Sequence, residues 1–310
     1  MNALRKAIED YIDLRRQLGF KLDRPQRWLR EFASFMEDCG APFITTERAL
    51  QWALRPQRAH PSYWARRLIA VRCFARHHCA TDPRTQVPPS DLLPNRPRRA
   101  RPYLYSEQDI ERLLIAATGL RPAGGLRGFT YVALLGLLAV TGLRISEALT
   151  LTLQDVDLQH GLLTIRKTKF GKARLVPLHP SARRALRQYA RQRRAFIGLG
   201  AAPRFFVSSQ GGPLSVGAVM KTFRFLRRRV GLHAFEHCDE PKLHHFRHRF
   251  ATQTLLRWYR AGQDVERQLP VLSTFLGHVS ISSTYWYLSS HPELMGQAMQ
   301  RLEHRWEKCP

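Results

Sequence analysis

Apolar positions in the first eighty residues recur at helical spacing. Leu4, Ile8, Tyr11, Ile12 and Leu18 share one face, and Gly19 ends that segment. Trp28, Phe32, Phe35, Met36 and Cys39 form a second stripe, stopped by Gly40-Ala41-Pro42. Thr46 is placed to cap a short helix through Leu54. A fourth helix follows Pro61, with Trp64, Leu68, Val71 and Ala75 inward. Arg66, Arg72 and Arg76 fall off that stripe and are expected to be free to meet phosphates. The pattern predicts a small bundle of four helices.

Between Asp82 and Pro102 the periodicity stops. Prolines stand at 83, 88, 89, 94, 97 and 102, with Arg96, Arg98, Arg99 and Arg101 among them. Such a density blocks helix and strand alike, so a stiff, basic linker is expected. Beyond it, Ser106 caps a helix with Ile110, Leu113, Leu114 and Ala117 inward. Phe129 to Val140 reads as a buried helix, broken at Thr141-Gly142-Leu143, with a short helix from Ile145 to Leu149. Two strands, Leu162–Lys169 and Ala173–Leu178, flank a tight turn at Phe170-Gly171-Lys172. Helices then run from Ser181 to Phe196, Val216 to Val230, His244 to Tyr259 and Val265 to Phe275. A last one carries Leu294, Met295, Met299, Leu302 and Trp306. The predicted fold class is mainly α with a small antiparallel β-sheet.

Charge narrows the function. Among 310 residues, 50 Lys and Arg oppose 24 Asp and Glu, a formal net charge of +26. The basic residues run from Arg5 to Arg305 through segments that also carry apolar periodicity. A folded protein built around a polyanion, with nucleic acid first, is therefore expected. Five cysteines at 39, 73, 79, 238 and 309 match no disulfide framework, which points to a reducing cytoplasm. No secretory signal or membrane-spanning run is legible. His77-His78-Cys79 with Cys73, and His237-Cys238 with His233, lack paired zinc spacing, so neither metal nor cofactor is expected.

Four separated segments place groups suited to a phosphodiester. They are Thr141-Gly142-Leu143-Arg144-Ile145-Ser146-Glu147-Ala148-Leu149, Thr168 to Leu178, His244-His245-Phe246-Arg247-His248, and Leu276-Gly277-His278 with Tyr287 nine residues on. Without a metal, charge building on non-bridging oxygens needs guanidiniums, and Arg144 and Arg247 suit that pairing. His244 lies three residues before Arg247, hence on the same helical face. Lys169, beside the tight turn, is placed to protonate a leaving oxygen, and His278 follows a glycine turn that can aim it into a pocket. Taken singly, each segment has an ordinary reading: a helix-start arginine, a solvated hairpin lysine, a basic surface run, a packed tyrosine. Glu147 could simply pair with Arg144 or with a neighbouring amide.

Order and spacing together resemble the tyrosine recombinases of the phage integrase family, from about Ser106 to Pro292. Arg144 sits in a Thr-Gly-Leu-Arg segment, Lys169 eight residues before Pro177, and His244 and Arg247 in His-x-x-Arg-His with His248. His278 follows Leu-Gly, and Tyr287 keeps the nucleophile's spacing. His245 and Phe246 depart from the family's usual small or aliphatic residue and leucine. Tyr285 is a rival nucleophile that helical geometry turns to another face.

The resemblance implies a helical core-binding domain (1–82), a linker (83–102) and a catalytic domain with a C-terminal helical tail (103–310), closing as a clamp on double-stranded DNA. It implies attack by Tyr287, a 3′-phosphotyrosyl link, Arg144, Arg247 and His278 on the phosphate, Lys169 as acid and His244 as base. It also implies a homo-tetramer on two specific recombination sites, and Leu294, Met295, Met299 and Leu302 could dock in cis or on a neighbour. A simple, nucleoid-associated recombinase of a mobile element is the expected role. The alternatives are type IB topoisomerase-like relaxation and a non-catalytic DNA-binding regulator.

Overall fold

The computed structural model describes residues 3–94, 101–166, 173–198, 203–234, 238–289 and 292–306. The chain divides into two compact units, residues 1–99 and 100–310. In the first, α1 (Ala3–Gln17), α2 (Asp23–Asp38), α3 (Thr46–Leu54) and α4 (Pro61–His78) form a bundle. Ile8, Ile12, Phe32, Met36, Trp52, Val71 and Phe74 meet in its core, each at most 1% exposed. The cap of α3 is Thr45, one residue ahead of the expected Thr46: its hydroxyl accepts from the Arg48 amide at 3.2 Å. Two adjacent threonines read alike in sequence, and the extended backbone at 45 selects between them.

Arg66 and Arg76 are exposed, but Arg72 is not free. It is 8% exposed, its Nε donates to the Pro88 carbonyl at 2.7 Å, and its Nη2 donates to the Pro89 carbonyl. Those carbonyls belong to no helix or strand, so the guanidinium satisfies an acceptor at Pro88 that burial would otherwise leave unpaired. The proline-rich segment is docked by this contact. Thr85 and Pro88 are buried, Val87 and Leu93 pack on the bundle core, and the Gln86 amide donates to the Ile44 carbonyl at 2.8 Å. Residues 83–94 of the expected linker thus pack on the first unit, while 95–100, with Arg96, Arg98 and Arg99, lie outside the described residues.

The second unit opens with α5 (Glu107–Thr118), where the Ser106 hydroxyl and the Asp109 carboxylate each accept from the other's amide, at 3.0 and 2.9 Å. Next comes α6 (Leu126–Thr141), apolar on most sides and buried. It ends at Gly142 with φ 60°, and a Cβ there would stand 2.8 Å from the Phe250 ring. The chain restarts in α7 (Ile145–Thr150). Strands β1 (Val156–Asp157), β2 (Leu162–Ile165) and β3 (Arg174–Pro177) pair antiparallel in that order, with Leu163 opposite Val156 and Val176. Two residues are too few to show alternation, which is why β1 is not legible in the sequence. Lys169 and the turn at Phe170-Gly171-Lys172 lie outside the described residues.

Helices α8 (Pro180–Ile197), α9 (Val216–Arg229), α10 (His244–Arg260), α11 (Val265–Leu276), α12 (Ser282–Ser289) and α13 (Pro292–Trp306) complete the unit. Among the described residues, no helix is long and apolar enough to cross a membrane. The last four enclose a core of their own, including Ala251, Leu255, Leu269, Leu272, Leu276, Tyr287 and Leu294. Leu294 therefore docks in cis, while Met295 and Met299 stay 49% and 58% exposed. The side chains of Leu302 and Trp306 lie outside the described residues.

Candidate active site

The final carbonyls of a helix have no intrahelical donor and carry the negative end of its dipole. At the end of α11, three consecutive carbonyls are met by three arginines from three different elements. The Phe275 carbonyl accepts from Arg174 Nε at 2.8 Å, and the Leu276 carbonyl from Arg247 Nη2 at 2.7 Å. The Gly277 carbonyl accepts from Arg144, with Nη1 at 3.3 Å and Nη2 at 3.4 Å. Gly277 has φ 67°, and a Cβ on it would stand 2.6 Å from Arg174 Nη1. The backbone conformation thus requires glycine before His278, and an added Cβ would also displace the Arg174 guanidinium.

Arg144 immediately precedes α7. Its amide donates to Glu147 Oε2 at 3.1 Å and its Nη1 to Oε1 at 2.9 Å, so both ordinary partners suggested for Glu147 are realised at once. Arg174 reaches the same carboxylate with a fork, Nη1 to Oε1 at 3.2 Å and Nη2 to Oε2 at 2.8 Å. Burial acts to raise the Glu147 carboxyl, but Arg174 and Arg144 outweigh it and hold it below the usual carboxylate range. The Arg144 side chain keeps 24% of its surface, against 7% for Arg174 and 2% for Glu147. Arg144 can therefore reach a ligand, whereas Arg174 is enclosed.

Arg247 is 1% exposed. Beyond Leu276, it donates from Nη1 to the Gly142 carbonyl at 3.0 Å and is hydrogen-bonded to Tyr287. Burial lowers its guanidinium to about 10, so it stays protonated at neutral pH. Two guanidiniums thus bond one carboxylate, and a third, Arg247, lies close enough to feel its charge. The surplus of two positive charges matches the two negative charges of a pentacoordinate phosphorane.

Tyr287 lies on α12, 3% exposed, while Tyr285 is 48% exposed. Burial raises the Tyr287 phenol although Arg247 and Arg144 pull it down, so a base is needed to ionise it. The His278 ring lies nearly parallel to Tyr287, centroids 6.0 Å apart, and its Nδ1 shares a hydrogen bond with Thr284 Oγ1 at 2.8 Å. His244 opens α10, 4.9 Å from the His248 ring, which is itself 5.3 Å from the Tyr287 ring. His244 is exposed on one side, but burial of the rest of the ring first, and then Arg247 and Arg144, push it down to about 4. Burial likewise takes His278 to about 4 and His248 to about 3. These rings are neutral at pH 7.

Arg144, His244, Arg247, His278 and Tyr287 therefore come together, and Lys169 lies outside the described residues. Sequence reasoning passed over Arg174 and Thr284. An arginine within a short apolar strand was the signal for the former, and nothing local marked the latter. The two departures from the family pattern have partners. Phe246 stacks on Tyr105 at 4.5 Å, and buried His245 accepts from the Lys242 amide at 3.3 Å.

A pH dependence follows. In the unfolded chain these histidines protonate near 6.5, but in the fold only near 4 or below. The unfolded state then binds more protons between those values, so stability falls as pH drops through that window. The urea midpoint is expected to be lower at pH 5 than at pH 7. Equal midpoints would contradict the neutral histidine cluster.

A family model described as the phage integrase family matches residues 105–293. The chain belongs to the phage integrase family. A Sinorhizobium fredii protein named integrase/recombinase y4rB is 54% identical over 99% of both chains. The XerD tyrosine recombinase of Caulobacter vibrioides is 34% identical, covering 77% of this chain and 74% of its own. Among solved structures, the Tn1549 transposon integrase in complex with circular intermediate DNA has a TM-score of 0.67 at 18% identity, covering 96% of this chain and 99% of that one. A lambda integrase tetramer bound to a Holliday junction scores 0.64 at 18% identity, covering 92% and 76%. At such identities these two show the shared fold. As a member of this integrase family, the chain is a DNA strand-cutting and rejoining enzyme of site-specific recombination.

Proposed function

We propose that the chain recombines specific double-stranded DNA sites, one strand at a time, through a 3′-phosphotyrosyl bond at Tyr287. The Tyr287 oxygen attacks phosphorus as its proton passes to His244. The bond from phosphorus to the 5′-oxygen breaks, and Lys169 protonates the departing oxygen. Arg144 and Arg247 hold the non-bridging oxygens, with His278 beside them. Attack by a partner strand's 5′-hydroxyl reverses the step and conserves the ester bond, so no nucleotide cofactor is consumed. The observation that carries this reading is a tyrosine hydrogen-bonded to a buried guanidinium, within a cluster holding two surplus positive charges.

The helical unit of residues 1–99 would supply further DNA contacts as a core-binding domain, and residues 100–310 would carry the chemistry. The working form would be a homo-tetramer on two sites, in the nucleoid of the cytoplasm, serving a mobile element. The Tn1549 transposon integrase supports that last role by its fold alone.

The test uses nicked duplexes tiled across the DNA flanking the gene. A denaturation-resistant adduct is expected, and peptide mapping should place a 3′-phosphate on residue 287. Attachment elsewhere, or through a 5′-phosphate, would refute the assignment. On a closed supercoiled plasmid carrying the same DNA, relaxation without transfer between sites would point to topoisomerase-like action instead.

A further inference from the structure

We infer that Arg174 is a positioning residue that sets how much positive charge Arg144 presents to the scissile phosphate. The inference rests on the reaction proposed above. Arg174 is enclosed at 7% side-chain exposure, and all three of its nitrogens are directed into the protein. Nε donates to the Phe275 carbonyl, and Nη1 and Nη2 donate to Glu147. It is placed to hold other groups and not to touch DNA.

What it holds is shared. Glu147 divides one buried negative charge between Arg174 and Arg144. Without Arg174, the whole carboxylate charge would face Arg144 in a site with little solvent to screen it. Arg144 would be drawn toward Glu147 and partly neutralised there, away from an incoming phosphate. Arg174 also ties β3 to the end of α11, whose next two carbonyls orient Arg247 and Arg144. One guanidinium thus controls both the direction and the effective charge of the phosphate-facing arginines. A lysine could make one of these bonds but not a fork together with a third.

The experiment compares single-turnover cleavage by the full chain on two nicked substrates. One has the natural scissile phosphate. The other has a methylphosphonate, in which a methyl group replaces one non-bridging oxygen and leaves the linkage uncharged. Arg174→Gln is expected to slow phosphate cleavage about 100-fold but methylphosphonate cleavage less than about tenfold, because an uncharged linkage needs less cationic help. Arg174→Lys should fall between Arg174→Gln and the unsubstituted protein. Adding Glu147→Gln to Arg174→Gln removes the competing charge and should recover at least about tenfold of the phosphate rate.

A merely structural role predicts equal losses on both substrates and no recovery in the double variant. That result, or undiminished phosphate cleavage by both single variants, would overturn the inference. Absence of any Tyr287 adduct in the unsubstituted protein would overturn the proposed reaction itself and this inference with it.

Discussion

Replacing Tyr287 with phenylalanine is expected to leave DNA binding intact and to reduce strand cleavage to background, a loss on the order of 10⁴-fold or more. The ring can stay where it is. It packs 5.3 Å from His248, 5.5 Å from Trp286 and 6.0 Å from His278, and phenylalanine keeps all three contacts. Only the hydroxyl is lost. Arg247 gives up one partner but retains the Gly142 and Leu276 carbonyls, so the stability cost should be about 1 kcal/mol. Tyr285→Phe is the matched control. Tyr285 is about half exposed on another face of the same helix, and its variant should cleave within about twofold of the unsubstituted rate, since changes at exposed positions without a special role are nearly neutral. Equilibrium binding and single-turnover cleavage of both variants decide the matter. If Tyr285→Phe lost cleavage and Tyr287→Phe kept it, the assignment of the nucleophile would be reversed.

Arg247 should separate stability from chemistry. Arg247→Ala opens a cavity and strips donors from two buried carbonyls, at an expected cost of about 2–4 kcal/mol. Cleavage should vanish with it, but that loss alone would not distinguish misfolding from missing chemistry. Arg247→Lys does. An ammonium keeps the charge and can satisfy one carbonyl, so most of the stability should return. It cannot reach the Gly142 and Leu276 carbonyls while also meeting Tyr287 and a phosphate oxygen. Cleavage should therefore stay about 10²–10³-fold down, the range seen when a transition-state donor is lost. Denaturant midpoints and cleavage rates of the two variants test this. A lysine variant that cleaves at the unsubstituted rate would show that the fork is dispensable.

The helices were legible because their apolar stripes depend only on local spacing. The breaks at Gly142 and Gly277 were legible because both residues have positive φ, where a side chain is costly. Helical geometry also separated Tyr287 from Tyr285, and the fold buries the first and exposes the second. Arginine was the residue type that the pattern read poorly. Arg66 and Arg72 both fall off the apolar stripe of α4, yet Arg72 is buried because the Pro88 and Pro89 carbonyls come back to it from sixteen and seventeen residues on. The role of Arg174 is invisible in its own segment, because its partners lie 27 and 101 residues away.

Local pattern was thus sufficient for the order of the helices other than α12 and for a small antiparallel sheet, and the order and spacing of Arg144, His244, Arg247, His278 and Tyr287 carried the family resemblance. Those properties depend on residue type and on distance along the chain. Which guanidiniums face outward and which are walled in was settled by the packing of α11 against β3, α7 and α10. Three carbonyls at one helix end need donors, and the donors arrive from segments far apart in sequence. No periodicity records such a meeting, because the demand for hydrogen bonds arises only once burial has removed the water that would otherwise have met it.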